Sequence, residues 1–266
     1  MGGLDEGRCG VLLEVAYDGT AFHGWASQEK GRTVQDSLKG AILAIDAKAS
    51  DPRGASRTDA GVHARGQLAA FDASLEIPPR GWVLALNQHL PDDVCVRRAR
   101  AIGSGYEPRF FAKSKLYVYR VLLDRVRDPL LSNRAWRVGW AVDIERLTRE
   151  AHTIVGTHDF AAFRAAADTR KSAVRTINHV GVKLEKDDPR ILAIAIEGNA
   201  FLYNMVRILV GTLMDVARGR LEEGTIASAL AGKQRKLAGA TAPAHGLTLE
   251  RIDAELPSGA GEPWPR

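Results

Sequence analysis

Hydrophobic positions follow two rhythms along this chain, one of period two and one near 3.6, and their order predicts its elements. Residues 11–17 form a compact apolar run that reads as a buried strand, closed by a turn at Asp18-Gly19. From 33 to 45, Val34, Leu38, Ala41, Ile42 and Ile45 recur at helical spacing, with Thr33 as N-cap. Between these, Ala21 to Trp25 is a loop whose Phe22 and Trp25 either pack beneath it or line a site. A strand is predicted around 67–71, a helix over 80–89 stopped by Pro91, and a strand over 94–102. Strand, helix, loop, strand, helix, strand is the order of a βαββαβ-type unit.

The second half carries a similar order without a visible sequence repeat. Residues 115–123 alternate, with Tyr117, Tyr119 and Val121 on one face. Residues 142–155 are amphipathic with Asp143 as cap, and 157–172 is polar, basic and loop-like around Phe160 and Phe163. Strands are predicted at 176–186 and 191–198, joined at Asp187 to Arg190. Residues 203–218 are apolar nearly all round and read as a buried helix. A shorter helix is predicted over 221–231 and a last strand over 247–252. The Gly- and Pro-rich stretch 257–266 is expected to be a disordered tail.

Composition narrows the class. With 266 residues, 45% hydrophobic and 26% charged, the chain is globular and can bury a sizeable core. No run of eighteen apolar residues would span a membrane, and residues 1–8 lack the apolar core of a signal peptide. Cys9 and Cys95 are too few for a disulfide framework, so a cytoplasmic protein is expected. The net charge of +5 favours a polyanionic partner. Basic residues cluster at 97–100, 109–115, 164–175 and 233–236, interleaved with Tyr106, Phe110, Phe111, Tyr117 and Tyr119. Stacking and phosphate neutralisation need that mixture, although each cluster could equally be a solvated face.

Candidate chemistry concentrates in Arg57-Thr58-Asp59-Ala60-Gly61-Val62-His63-Ala64. The stretch follows turn-prone residues and precedes a strand, so it reads as a loop at the mouth of a sheet. Gly61 can take a positive φ, reversing the chain just after the acid. Arg57 and Asp59, two apart, leave the same side of an extended backbone. Local chemistry leaves two readings open, a turn held by a surface Arg–Asp pair and an active-site loop. Seven scattered histidines, no HExxH and no cysteine cluster argue against a metal site. No P-loop, dinucleotide fingerprint or GxSxG is present, so no nucleotide cofactor is expected. A carboxylate among cations stays ionised and suits nucleophilic or general-base work.

Ordered blocks of sequence then point to a family. Tyr17-Asp18-Gly19-Thr20-Ala21-Phe22-His23-Gly24-Trp25 resembles the YDGTxFxGW of the tRNA pseudouridine synthase A family, and Arg32-Thr33-Val34-Gln35 its RTVQ. Residues 57–64 match its RTDAGVHA, 86–91 its LNxxLP, and Pro108-Arg109-Phe110 and 115–119 its ARF and RxYxY. His158-Asp159-Phe160, Arg175-Thr176-Ile177, 201–207 and 242–247 resemble later blocks in order, so the resemblance spans roughly residues 10 to 250.

The resemblance implies a pseudouridine synthase fold of α+β class. Two ferredoxin-like α/β halves, 1–105 with the catalytic loop and 106–256, would form one continuous, mainly antiparallel sheet with flanking helices and a central cleft. It implies that Asp59 is the catalytic aspartate, that Tyr117 stacks on the target base, that Arg207 pairs with the aspartate, and that Arg57 helps displace the flipped nucleotide. His63 is expected to be structural. The implied substrate is uridine at positions 38, 39 and 40 of the tRNA anticodon arm, handled by a homodimer without cofactor.

Several positions depart from the family pattern: Ser56 for Gly, Ala26 for Gln, Lys115 for Arg, and Thr248 for an aromatic. Lys115 keeps the charge but loses the bidentate fork. Residues 47–54 look short, so the strand leading into the loop is expected to be clipped. An alternative from another class is a noncatalytic tRNA-binding or tRNA-folding protein on the same scaffold. A retained Asp59 argues against it, because an acid facing phosphates repels them. A hydrolase using Asp59 with His63 is weaker, since no second carboxylate or metal set is evident.

Overall fold

The computed structural model describes residues 9–256; the first eight residues and the expected tail at 257–266 lie outside the described residues. Within them the chain is α+β, with strands paired mainly antiparallel. It divides into two compact units. One takes the chain up to Lys113 and resumes at Leu249; the other spans Ser114–Thr248.

The first unit contains β1 (Cys9–Tyr17), α1 (Val34–Ile45), β2 (Arg53–Gly54), β3 (His63–Ala73), α2 (Pro79–His89), β4 (Val94–Ile102) and the single turn α3 (Pro108–Phe111). β1 lies between β4 and β3, antiparallel to both. Leu12 and Leu13, on opposite faces of β1, are both buried, which is why this strand reads as a continuous apolar run rather than an alternation. α1 buries Val34, Leu38, Ala41 and Ile42, the stripe its spacing predicts, and Thr33 caps it by accepting from Asp36 N–H. α2 buries Trp82 and Leu86, and Trp82 meets Phe71 of β3 edge-on at 5.1 Å. β4 is the outermost strand of its order, and its arginines suit an edge: Arg97 and Arg98 approach Glu14 at 3.9 and 3.8 Å.

The second unit is built from β5 (Ala112–Leu123), β6 (Trp136–Val138), α4 (Ile144–His152), β7 (Gly156–Asp159), β8 (Val174–Leu184), β9 (Ile191–Gly198), α5 (Met205–Ala217) and α6 (Thr225–Gly232). Its strands run in the order β5-β9-β8-β7, with β6 parallel beside β5. Every α5 residue except Arg207 is buried, as an all-round apolar helix requires. Gly211 is obligatory there, because a Cβ would sit 1.8 Å from the Ala240 carbonyl oxygen.

The structure corrects the sequence reading at several places. The loop-like stretch from 157 begins instead with the edge strand β7, whose polar His158 and Asp159 gave no apolar signal. The helix expected over 221–231 starts only at Thr225, because Gly224 takes φ +88°. Strands β2 and β6 and the turn α3 were not predicted, being two to four residues long. β2 adds the element that completes the βαββαβ order, and at two residues it is the clipped strand expected before the loop.

Buried carboxylates serve as backbone caps in both units. Glu150 of α4 is 2% exposed and accepts from Gly224 N–H and Ile226 N–H, so it caps α6, which has no side-chain cap of its own. Asp46, equally buried, ends α1 and accepts from Ser74 N–H and Oγ–H, both at 2.6 Å, and from Lys48 and Leu75 N–H. Burial alone would raise its carboxyl, but these hydrogen bonds outweigh burial and hold it below the ordinary 3.8. A carboxyl depressed on folding stabilises fully above its unfolded value and loses that contribution as pH falls through its folded value. Asp46→Ala therefore destabilises at pH 7 by about 2 kcal/mol, and the gap to the parent protein narrows below pH 4. Urea unfolding across pH measures this; a gap independent of pH would show that the ionised carboxylate is not the stabilising species.

Candidate active site

The stretch Arg57 to Ala64 is a loop entering β3, fixed by backbone and buried polar contacts from three directions. From below, Trp25 N–H donates to Thr58 O at 3.1 Å and Gly61 N–H to Phe22 O at 3.2 Å. Phe22 and Trp25 are 3% and 2% exposed, which decides between the two readings of the 21–25 loop: these aromatics are packed in the core rather than lining a site. The two backbones approach so closely that a Cβ on Gly19 would lie 2.1 Å from Val62 O, and one on Gly24 would lie 2.6 Å from Thr58 O. From the side, Tyr17 Oη and Thr58 Oγ1 share a buried hydrogen bond of 2.8 Å. At the entrance, the fully buried Gln67 amide donates to Ser56 O at 2.6 Å and accepts from Ser56 N–H at 3.2 Å, replacing a strand partner.

Asp59 itself sits half-buried between these supports. Val62 N–H closes a turn onto Asp59 O at 3.1 Å, and Gly61 takes φ +77°, the positive value its position demanded. Thr58 is buried between the exposed Arg57 and the half-buried Asp59. Arg57 enters no ion pair among the described residues, so the reading of a turn held by an Arg–Asp pair is set aside. His63 is buried, and its Nδ1 accepts from Gly19 N–H at 3.0 Å. Asp18 Oδ1 lies 3.2 Å from the same nitrogen.

Other blocks turn out to be scaffold for this loop. Arg32 forks onto Asp93 with two bonds of 2.7 Å and lies 4.2 Å over the Phe22 ring. Gln35 donates to Pro52 O at 2.8 Å. Arg53 makes a bidentate pair with Asp72 at 2.8 and 3.1 Å and reaches Tyr106 O at 3.2 Å. Sequence reasoning passed over Gln67, Arg53 and Asp72. A polar residue amid the apolar run of β3 was the available signal for both Gln67 and Asp72.

In the second unit Tyr117 is 5% exposed on β5, opposite Ile196 of β9, and its ring meets Phe201 edge-on at 5.0 Å. Arg207 occupies the first turn of α5, where the helix dipole disfavours a cation, so its place there needs a reason other than helix stability. Its guanidinium is pre-set: Nε donates to Ala242 O at 2.9 Å and Nη1 to Asn204 Oδ1 at 2.7 Å. Neighbouring Tyr119 is fully buried, donates to Pro243 O at 2.8 Å, and is kept neutral because burial pushes its hydroxyl far up. Among the described residues no group of three or more His, Cys, Asp or Glu could hold a metal ion. Nor is any described helix long and apolar enough to cross a membrane.

With this geometry in place, comparison with known proteins supplies the class. The family model described as tRNA pseudouridine synthase matches residues 14–110 and 151–253, well over half of the chain, and the chain belongs to that family. Within it, the chain is similar to tRNA pseudouridine synthase A of three bacteria. It is 42% identical to that of Acetivibrio thermocellus over 91% of this chain and 98% of the relative. It is 44% identical to that of Halalkalibacterium halodurans, over 91% of each. It is 43% identical to that of Shouchella clausii, over 93% of this chain and 94% of the relative.

The Gln67 clamp generates a direct expectation. Gln67→Leu leaves the Ser56 N–H and C=O buried without that partner and lowers stability by about 2 kcal/mol. Urea denaturation reads the loss, and an unchanged midpoint would show that the amide does not hold the loop.

Proposed function

We propose that this chain isomerises uridine to pseudouridine at positions 38, 39 and 40 of the tRNA anticodon stem-loop, with Asp59 as its catalytic aspartate. Its membership of the tRNA pseudouridine synthase family makes it an isomerase acting on tRNA uridine. The observation that carries the finer reading is the rigid presentation of Asp59 on a loop supported from several sides, in a chain over 40% identical to tRNA pseudouridine synthase A.

The reaction breaks the N1–C1′ glycosidic bond and forms C5–C1′. The C5 proton leaves and N1 gains one, so the product is an isomer and the balance needs no oxidant, reductant or co-substrate. Asp59 acts as nucleophile or base while the uracil detaches, turns and reattaches. Tyr117 stacks on the target base, Arg207 supports the aspartate's charge, and Arg57, exposed on the loop, helps displace the flipped nucleotide. The basic stretches neutralise tRNA phosphates. The working form is a cytoplasmic homodimer, which sedimentation would read as twice the 28.8 kDa chain mass.

A noncatalytic tRNA-binding role on the same scaffold makes the opposite forecast for one substitution. Asp59→Asn abolishes pseudouridine formation, a drop of at least about a thousandfold, and leaves tRNA binding within about twofold. Tritium release from tRNA labelled at uridine C5 measures the chemistry and filter binding the affinity. Release at the parent rate would remove Asp59 from the mechanism.

A further inference from the structure

Residues 164–173 lead from the short turn at Ala161–Phe163 to β8 and carry a carboxylate that the reaction does not use. The Asp168 side chain is 2% exposed. Its Oδ2 accepts from Tyr203 N–H at 2.8 Å and its Oδ1 from Arg170 N–H at 3.1 Å. Burial would raise this carboxyl, but the two backbone donors and the nearby arginines more than offset burial and keep it ionised. Arg170, placed by that bond, sends Nη1 to Phe201 O at 2.6 Å, and Ala165 N–H donates to Tyr203 O at 3.0 Å. Three hydrogen bonds thus join the loop to residues 201–203.

Those residues have no regular partner strand or helix of their own, lying between β9 and α5. They nevertheless set two side chains that matter. Phe201 is the ring against which Tyr117 is seated. Asn204, the next residue after Tyr203, holds the left-handed φ of +60° that begins α5 and fixes the Arg207 guanidinium through its Oδ1. A segment with no ladder of its own needs external bonds to hold such angles, and the Asp168 loop supplies them.

We propose that Asp168 and Arg170 are positioning residues for the isomerisation, acting through Phe201 on Tyr117 and through Asn204 on Arg207. The inference rests on the reading that gives Tyr117 and Arg207 work on the target uridine. It differs from a simple phosphate-binding role for the basic loop, which would act on tRNA affinity. Displacing a group that orients reactants costs turnover even when binding survives.

Steady-state tritium release separates the two. Asp168→Ala lowers kcat about tenfold and leaves KM for tRNA within about twofold. Asp168→Asn, which keeps one oxygen for Tyr203 N–H but turns its amide NH2 toward Arg170 N–H, recovers part of the rate. Should Asp168→Ala melt below the assay temperature, Arg170→Lys, which leaves Asp168 on Tyr203, shows the same kcat-only loss. In a double-mutant cycle, the effects of Asp168→Ala and Phe201→Leu fail to add, because both act on one contact. A loss confined to KM, or full additivity with Phe201→Leu, would overturn the inference. Tyr117→Ala is run alongside: parent kcat in that variant sinks the stacking role itself, whereas a dead Tyr117→Ala with uncoupled Asp168 and Phe201 sinks only the positioning role.

Discussion

The backbones of residues 19–24 and 58–62 touch without side chains between them, and the presentation of Asp59 depends on that contact. Glycines at 19 and 24 permit it, and the hydrogen bonds Trp25 N–H to Thr58 O and Gly61 N–H to Phe22 O fix its register. Once the two strands of backbone are this close, the loop has few conformations left. Tyr17 then locks Thr58, the residue directly before the acid, from a buried hydroxyl. The conformational entropy of the loop is removed during folding, so substrate bound there, as proposed, would not have to remove it again. For the proposed role of Asp59, a carboxylate whose direction is set beforehand is what a reaction that detaches and turns a base would use.

The second unit reaches the same end with charge rather than with close backbone contact. Asp168 ties an irregular loop to an irregular segment, as Glu150 ties α4 to the uncapped start of α6. Both carboxylates are nearly inaccessible, and both spend their oxygens on backbone N–H groups rather than on cations alone. Such bonds fix direction as well as distance. Arg207 is treated alike. Its carbonyl and amide partners hold the guanidinium at a helix end where the dipole would otherwise oppose it.

The strong periodic elements were legible from the chain alone. α1 with its Thr33 cap, α4 with Asp143, the buried α5, and β1, β4 and β9 lie where hydrophobic spacing puts them. What escaped was short or polar. Two-residue β2 has no periodicity to read, and β7 pairs at an edge with polar side chains. The loop Arg57 to Ala64 could be located but not decided locally, since Arg57 and Asp59 fit a surface pair as well as a site. Its supports were invisible as supports: Gln67 interrupts an apolar run, and only the fold shows its amide standing in for a strand. Long-range partners such as Asp168 with Tyr203 carry no sequence signal, because nothing in a polar basic loop distinguishes the one carboxylate that turns inward.

The proposed activity is conversion of uridine to pseudouridine in the anticodon arm of tRNA. Mapping pseudouridine in bulk tRNA from cells with and without the protein tests it most directly. The modified base is expected to be lost at positions 38, 39 and 40 in the deficient cells, with other pseudouridines intact and the loss reversed by the parent chain but not by Asp59→Asn. An unchanged pattern at those three positions would contradict it.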